Sequence, residues 1–356
     1  MPDLPESHAD QPDADQRPGD ADQALPLYRR YDTALLDLDG VVYAGPNAID
    51  HAVESLTRAR SEGMRLAYVT NNASRTPDTV AKHLTDLGVP AGPSDVITSA
   101  QAAARLVADL VPSGSPVLVV GGDGLVEALR ERGLEPVRSL DDSPSAVVQG
   151  FDPSVGWEQL AEASYAVAQG LPWVASNTDL TIPTARGTAP GNGTLVAVVR
   201  TATGVEPQVA GKPLPPMHRE TIIRTGAKRP LVVGDRLDTD IEGASNGGVD
   251  SLLVFTGIAK PGDLPAAPPE HRPTYVAADL RGLLRVQPPL AAGDDGSQRC
   301  GGWTATVRDG VLEFGDERGE DPYDGLRALC AAVWAAADAD RGGAPSWDKA
   351  LAELDL

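Results

Sequence analysis

Asp37 and Asp39 stand two residues apart in Asp37-Leu38-Asp39-Gly40, where the apolar run Ala34-Leu35-Leu36 ends. A strand alternates its side chains, so this spacing predicts both carboxylates on one face and Leu38 on the other. Neighbouring carboxylates repel, and burying both without compensation is expensive. A bound divalent cation is the usual remedy. The same pair also suits chemistry in which one carboxylate attacks and the other moves a proton. Gly40 lets the backbone turn at once. Alone the pattern is a moderate signal, because surface turns are also rich in Asp and Gly.

Three further segments strengthen it. The apolar stretch Leu66-Ala67-Tyr68-Val69 leads into Thr70-Asn71-Asn72, Lys212 stands in Gly211-Lys212-Pro213, and Leu231-Val232-Val233-Gly234 runs into Asp235, with Asp240 five residues on. Four ordered motifs rarely coincide by chance. Together they resemble the haloacid dehalogenase (HAD) superfamily over residues 31–277, and their wording is similar to its NagD-like, 4-nitrophenylphosphatase branch. The resemblance implies Asp37 as nucleophile, forming an aspartyl-phosphate, and Asp39 as the acid and then base that serves it. It implies Mg2+ held by Asp37, Asp235 and the Asp39 backbone carbonyl, with Asp240 behind them acting through water or Lys212. Thr70 would donate to a phosphate oxygen with the N–H groups of Asn71 and Asn72, and Lys212 would bridge nucleophile and phosphoryl group. The second carboxylate, Asp39, favours a phosphatase or phosphomutase over the superfamily's ATPases and dehalogenases.

Those residues need elements to hold them. Strand and helix signals alternate from residue 31, as in a parallel sheet with both faces covered. The HAD core is expected over 31–98 and 211–285. Between its halves, 99–210 has its own alternation, with strand candidates at 117–120, 146–148, 173–175 and 195–199. A unit inserted there resembles the branch's C2-type cap. The expected fold class is α/β: a doubly wound parallel-sheet HAD core, an inserted α/β cap and a small α+β tail. Residues 1–30 are Asp-, Pro- and Gln-rich and read as disordered, and 286–298 reads as a linker. The tail, 299–356, resembles the GNAT-like tail of some members of this branch. Its Arg318-Gly319 is followed by Glu-Asp-Pro, which would repel an acetyl-CoA pyrophosphate, so a packing or regulatory module is expected.

Between Asn177 and Gly193 the cap carries the loop that, by resemblance, reaches over the leaving group. Members acting on pyridoxal phosphate place a histidine there. Thr181 stands roughly at that position, which disfavours pyridoxal phosphate, and Arg186 either meets a second anionic group or faces solvent. Gly121-Gly122-Asp123-Gly124 lacks a P-loop lysine and reads as a turn.

The 356-residue chain carries 51 acidic against 30 basic residues, a net charge of −21. Such a field repels nucleic acid and anionic membranes. No apolar run approaches the ~20 residues that span a bilayer, and the N-terminus has no basic-then-apolar signal pattern. Cys300 and Cys330 supply no disulfide framework, which favours a reducing cytoplasm. The expected activity is Mg2+-dependent hydrolysis of a small phosphorylated metabolite. The resemblance of the tail favours glycerol 3-phosphate; a nucleotide monophosphate, phosphoglycolate or sugar phosphate comes next, and a non-catalytic regulatory role last. A homodimer through the cap is expected from the same branch.

Overall fold

The computed structural model describes residues 23–184, 186–339 and 345–356. Its central strand, Thr33–Leu36, is buried along its whole length. Ala34 and Leu36 join a core with Leu56, Tyr68, Leu84 and Leu231, whereas Leu35 faces a second core with Val69, Ile97 and Val107. A strand that is apolar on both faces suits a parallel sheet covered by helices. Six parallel strands form it, in the order Tyr275–Ala277, Asp250–Val254, Pro230–Gly234, Thr33–Leu36, Arg65–Thr70 and Val96–Thr98. Helices Ala52–Ser61 and Pro77–Asp86 cover one face and Pro215–Thr225 the other, while Ser99–Leu110, expected within the cap, shares one apolar cluster with that face and with strands Pro116–Val120 and Ala146–Gln149. Strand order reverses at Thr33–Leu36, and such switch points open a crevice at the carboxyl ends of the strands. Asp37, Thr70 and Asp235 lie at those ends on three adjacent strands.

The segment between the two halves forms a second parallel sheet: Gln208–Val209, Trp173–Ala175, Ala146–Gln149, Pro116–Val120 and Glu135–Val137. Residues 195–199, expected as a strand, lie instead in the helix Asn192–Thr203. Their β-branched run suggested a strand, but burial of Val196 and Val199, three apart, with Val198 exposed, fits a helix face. An antiparallel hairpin, Thr181–Thr184 with Gly187–Pro190, projects from this unit.

The tail is a four-stranded antiparallel sheet, Ala291–Ala292, Gln298–Cys300, Trp303–Arg308 and Val311–Phe314, with the helix Pro322–Asp338 packed on it. Two expected boundaries are corrected. The stretch 286–298, expected as a linker, supplies the edge strand Ala291–Ala292, whose partner Gln298–Cys300 ties it into the sheet. The N-terminal stretch expected to be disordered as far as residue 30 is ordered before that: Leu27–Arg30 is helical, Leu27 is buried, and Arg30 donates to the Tyr275 hydroxyl at 2.8 Å. Residues 1–22 of that expectation lie outside the described residues. Among the described residues no helix is long and apolar enough to cross a membrane.

Candidate active site

Asp37 follows the central strand, and its N–H continues the ladder to the Val233 carbonyl at 2.9 Å. Leu38 is buried in the core, so the carboxylates on either side of it share the opposite face, as the alternation requires. Gly40 then turns with φ +87°, and a Cβ there would strike the Asp235 carboxylate. Glycine is therefore required twice over at this position.

Lys212 joins the core halves. Its Nζ donates to Asp37 Oδ1 and Asp240 Oδ1, each at 2.7 Å, and to the Val69 carbonyl at 3.3 Å. Burial alone would discharge this ammonium, but Asp240 and Asp37 hold its pKa above the ordinary lysine value. Asp240 sits on a single π-type turn, Leu237–Ile241, a feature frequent at functional sites. Its Oδ2 accepts from the N–H groups of Asp235 and Arg236, each at 3.2 Å. Both Asp240 oxygens are thus engaged by the protein, which suits a residue that fixes Lys212 and the Asp235 turn. Burial pushes its carboxyl upward, and Lys212 opposes that.

Asp235 is different. Its Oδ2 accepts from the Ile258 N–H at 2.8 Å, while its Oδ1 is buried with no hydrogen-bond partner among the described residues. Burial first, then the neighbouring Asp37, push its carboxyl up to about 6. Carboxylate oxygens of Asp37, Asp235 and Asp240 lie within 4.8 Å of one another. With Lys212 taking one oxygen of Asp37, the second Asp37 oxygen and Asp235 Oδ1 remain as hard ligands. That set fits a Mg2+ ion, which takes few carboxylates and keeps several waters.

Asp39 stands at the mouth of the crevice, where solvent still reaches it. Its crowded surroundings, and then Asp37, raise its carboxyl to about 6, against the Tyr43 hydroxyl at 3.4 Å and nearby Arg75. Thr70 is buried at the end of its strand, and its Oγ1 accepts from the Asn72 N–H at 3.1 Å, leaving the hydroxyl proton to donate elsewhere. The Asn72 N–H, expected to meet a phosphate, is therefore committed to shaping this turn. The Asn72 side chain does the same, accepting from Ser74 N at 2.9 Å. The Asn71 side chain is a staple: Oδ1 accepts from Lys212 N at 2.8 Å, while Nδ2 donates to Asp179 Oδ2 and to the Lys212 carbonyl, each at 3.2 Å.

Thr181 is exposed on the hairpin, and no hydrogen bond links it to this cluster among the described residues; Arg186 is exposed at the hairpin turn. Sequence reasoning missed Asp179, whose carboxyl is raised by burial while Asn71, Arg236 and Lys212 oppose the shift. It also missed Arg75 and the fork that Arg236 makes on Asp238, at 3.0 and 2.7 Å. Asn71-Asn72-Ala73-Ser74-Arg75 and Asn177-Thr178-Asp179 were the available signals. Of the run expected as a turn, Gly121-Gly122 makes the connection while Asp123 and Gly124 open the helix Asp123–Glu131, and the glycines let the segment approach the backbone of residues 73–75: a Cβ at Gly122 or Gly124 would meet it.

Fold and site together define a hydrolase whose strand-end carboxylates surround a lysine. The chain belongs to the haloacid dehalogenase-like hydrolases: that family matches residues 34–135, a HAD-hydrolase-like family matches 209–283, and a GCN5-related N-acetyltransferase-like domain matches 300–356. It is 46% identical over 321 residues to D-glycerol 3-phosphate phosphatase of Mycobacterium tuberculosis, covering 88% of this chain and 89% of that protein. It is 38% identical to an acid sugar phosphatase of Staphylococcus aureus, over 71% of this chain and 96% of that one. The crystal structure of glycerol phosphate phosphatase from M. tuberculosis in complex with magnesium superposes with TM-score 0.80 at 43% identity, over 87% of this chain and 92% of that chain.

Proposed function

We propose that the chain is a Mg2+-dependent phosphomonoester hydrolase whose substrate is glycerol 3-phosphate. The observation that carries the reaction class is the Asp37–Lys212–Asp240–Asp235 cluster, with a buried, unpartnered oxygen on Asp235. The substrate rests on the relative at 46% identity, whose match covers 88% of this chain, whereas the sugar phosphatase match covers 71%.

Lys212 steers Asp37 Oδ1 and leaves the second Asp37 oxygen to the metal. Oδ1 attacks phosphorus in line, the P–O bond to the alcohol breaks, and an aspartyl-phosphate forms. Asp39, neutral up to about pH 6, gives its proton to the departing alkoxide oxygen. It then takes a proton from the water that attacks phosphorus, releasing phosphate and restoring Asp37. Lys212 and the Thr70 hydroxyl offset the charge gathering on the phosphoryl oxygens. Asp37, Asp235 and the Asp39 carbonyl would hold Mg2+, which when bound neutralises phosphoryl charge. The cap closes over this centre through Asn71, whose carbonyl accepts from Asn177 Nδ2 at 2.7 Å.

Phosphate release from glycerol 3-phosphate, phosphoglycolate, pyridoxal phosphate and UMP, with and without Mg2+, tests the reading. Metal-dependent turnover, fastest on glycerol 3-phosphate and abolished by Asp37→Asn, is expected. Equal turnover in the variant would overturn the mechanism. A cytoplasmic setting suits the two buried, free cysteines. A homodimer through the cap suits the exposed Trp157, Tyr165 and Val198 on its outer helices; sedimentation showing only monomer at micromolar concentration would refute it.

A further inference from the structure

We propose that the tail is a positioning element for the Asp235 carboxylate, acting through Tyr323 on the segment 255–264. The inference rests on the reading of Asp235 as a metal-holding residue. That segment leaves the strand Asp250–Val254 and grips the active site from below. Thr256 Oγ1 donates to the Gly40 carbonyl at 2.6 Å, Ile258 N–H to Asp235 Oδ2 at 2.8 Å, and Ala259 N–H to the Asp235 carbonyl at 2.9 Å. At Gly257 the backbone passes so close that a Cβ would land on the Asp235 carboxylate. These bonds hold one Asp235 oxygen and leave the other presented. A ligating carboxylate depends on such backing groups for its orientation.

The other side of the segment belongs to the tail. Phe255 stacks on Tyr323 of the tail helix, with ring centroids 5.6 Å apart and planes 19° apart. Ala259 and Leu264 are buried in one apolar core with Leu326, Leu329, Cys330 and Val333 of that helix. Trp334 Nε1 donates to the Leu264 carbonyl at 3.2 Å. Arg272 lies over the Trp334 ring and forks onto Asp338 at 2.7 and 3.0 Å. The segment is therefore clamped between the tail helix and the carboxylate, with Phe255 and the Ile258 N–H only three residues apart. A tail that merely filled space would need no contact so near the donors to Asp235.

The test uses the full chain and Mg2+ alone. Tyr323→Ala removes the stack, Tyr323→Phe keeps it, and Phe255→Leu removes it from the other side with little loss of volume. Calorimetric Mg2+ titration without substrate should show affinity weakened about 3–10-fold in Tyr323→Ala and Phe255→Leu. This lies at or below the low end for direct backing residues because the effect passes through one more contact. Tyr323→Phe should bind like wild type. In metal-free protein, hydrogen exchange at the Ile258 amide should speed up in the same two variants only. Turnover at saturating Mg2+ should fall less than the apparent Mg2+ affinity does. Should Tyr323→Ala fail to fold, Phe255→Leu carries the test. Unchanged Mg2+ affinity and Ile258 exchange in a folded variant would overturn the inference, while loss of binding in Asp235→Asn left the metal reading standing. Wild-type binding that ignored Asp235→Asn would overturn that reading and this inference with it.

Discussion

Asp235→Asn should make the metal-free protein more stable while destroying its response to Mg2+. Asp235 is 1% exposed, and one of its carboxylate oxygens has no partner among the described residues. Burial and then Asp37 raise its carboxyl from 3.8 to about 6. Each unit is about 1.4 kcal/mol, so keeping this group ionised at neutral pH costs the fold about 3 kcal/mol as an upper bound. Asparagine has the same shape. Its carbonyl can accept the Ile258 N–H, and its amide replaces the unpartnered oxygen with a donor beside Asp37. The sign follows from a folded pKa above the unfolded one. Below pH 3.8 both states are protonated and the variant gains nothing; the gain grows from there to about pH 6 and is constant above. Denaturant unfolding in EDTA at pH 7.5 should therefore favour Asp235→Asn. In Mg2+ at a hundredfold its Kd, wild type should gain about 2.7 kcal/mol, the variant almost nothing, and the order should narrow or invert. A variant less stable than wild type in EDTA, or equally stabilised by Mg2+, would refute the assignment of Asp235 as a strained ligand awaiting a cation.

Asp39→Asn should lose about 10²–10⁴-fold in turnover of glycerol 3-phosphate. With 4-nitrophenyl phosphate, whose leaving group needs little protonation, rapid-quench kinetics should show a burst near one equivalent before the slow step; no burst would count against Asp39 as the acid. The alkaline limb of kcat/KM for glycerol 3-phosphate should reflect loss of the raised Asp39 proton and vanish in the same variant. Gly257→Ala places a Cβ on the Asp235 carboxylate and should cost about 10²-fold in kcat/KM, as a displacement near 1 Å does; wild-type kinetics would show that the segment yields freely. Glu220 is fully buried and pairs with Arg105, Arg132 and Arg224, which are 20–27% exposed. Against its burial, the Arg105 and Arg224 bonds hold its carboxyl below the ordinary range. Its contribution is therefore complete above the unfolded glutamate pKa and lost as pH falls through the lowered one. Glu220→Gln should cost about 2–3 kcal/mol at pH 7, less than a wholly buried pair, in denaturant unfolding; a loss under 1 kcal/mol would refute a stabilising role for these ion pairs.

The cluster was legible because its residues contradict their surroundings. A carboxylate or lysine at the end of an apolar strand conflicts with local burial, and chemistry resolves that conflict. Asp37 and Asp235 betray themselves in this way, and their common placement follows from adjacent strand ends on one sheet, whereas Lys212 is brought to them by the segment that returns from the cap sheet to the helix Pro215–Thr225. Asn71 shows the limit. Its position at a strand end was readable, but its amide serves Lys212 and Asp179, because which distant partner completes an amide is decided only when the cap folds back. The residues 195–199 failed for a related reason. A valine run satisfies a strand and a buried helix face equally, and the packing of Val196 and Val199 in the cap core selects the helix. Phe255 and Tyr323 carry no mark at all, since an aromatic ring accepts almost any apolar neighbour. The contact of the tail with the segment behind Asp235 therefore had to be seen in three dimensions, whereas the acidic residue closing an apolar strand stood plainly in the sequence.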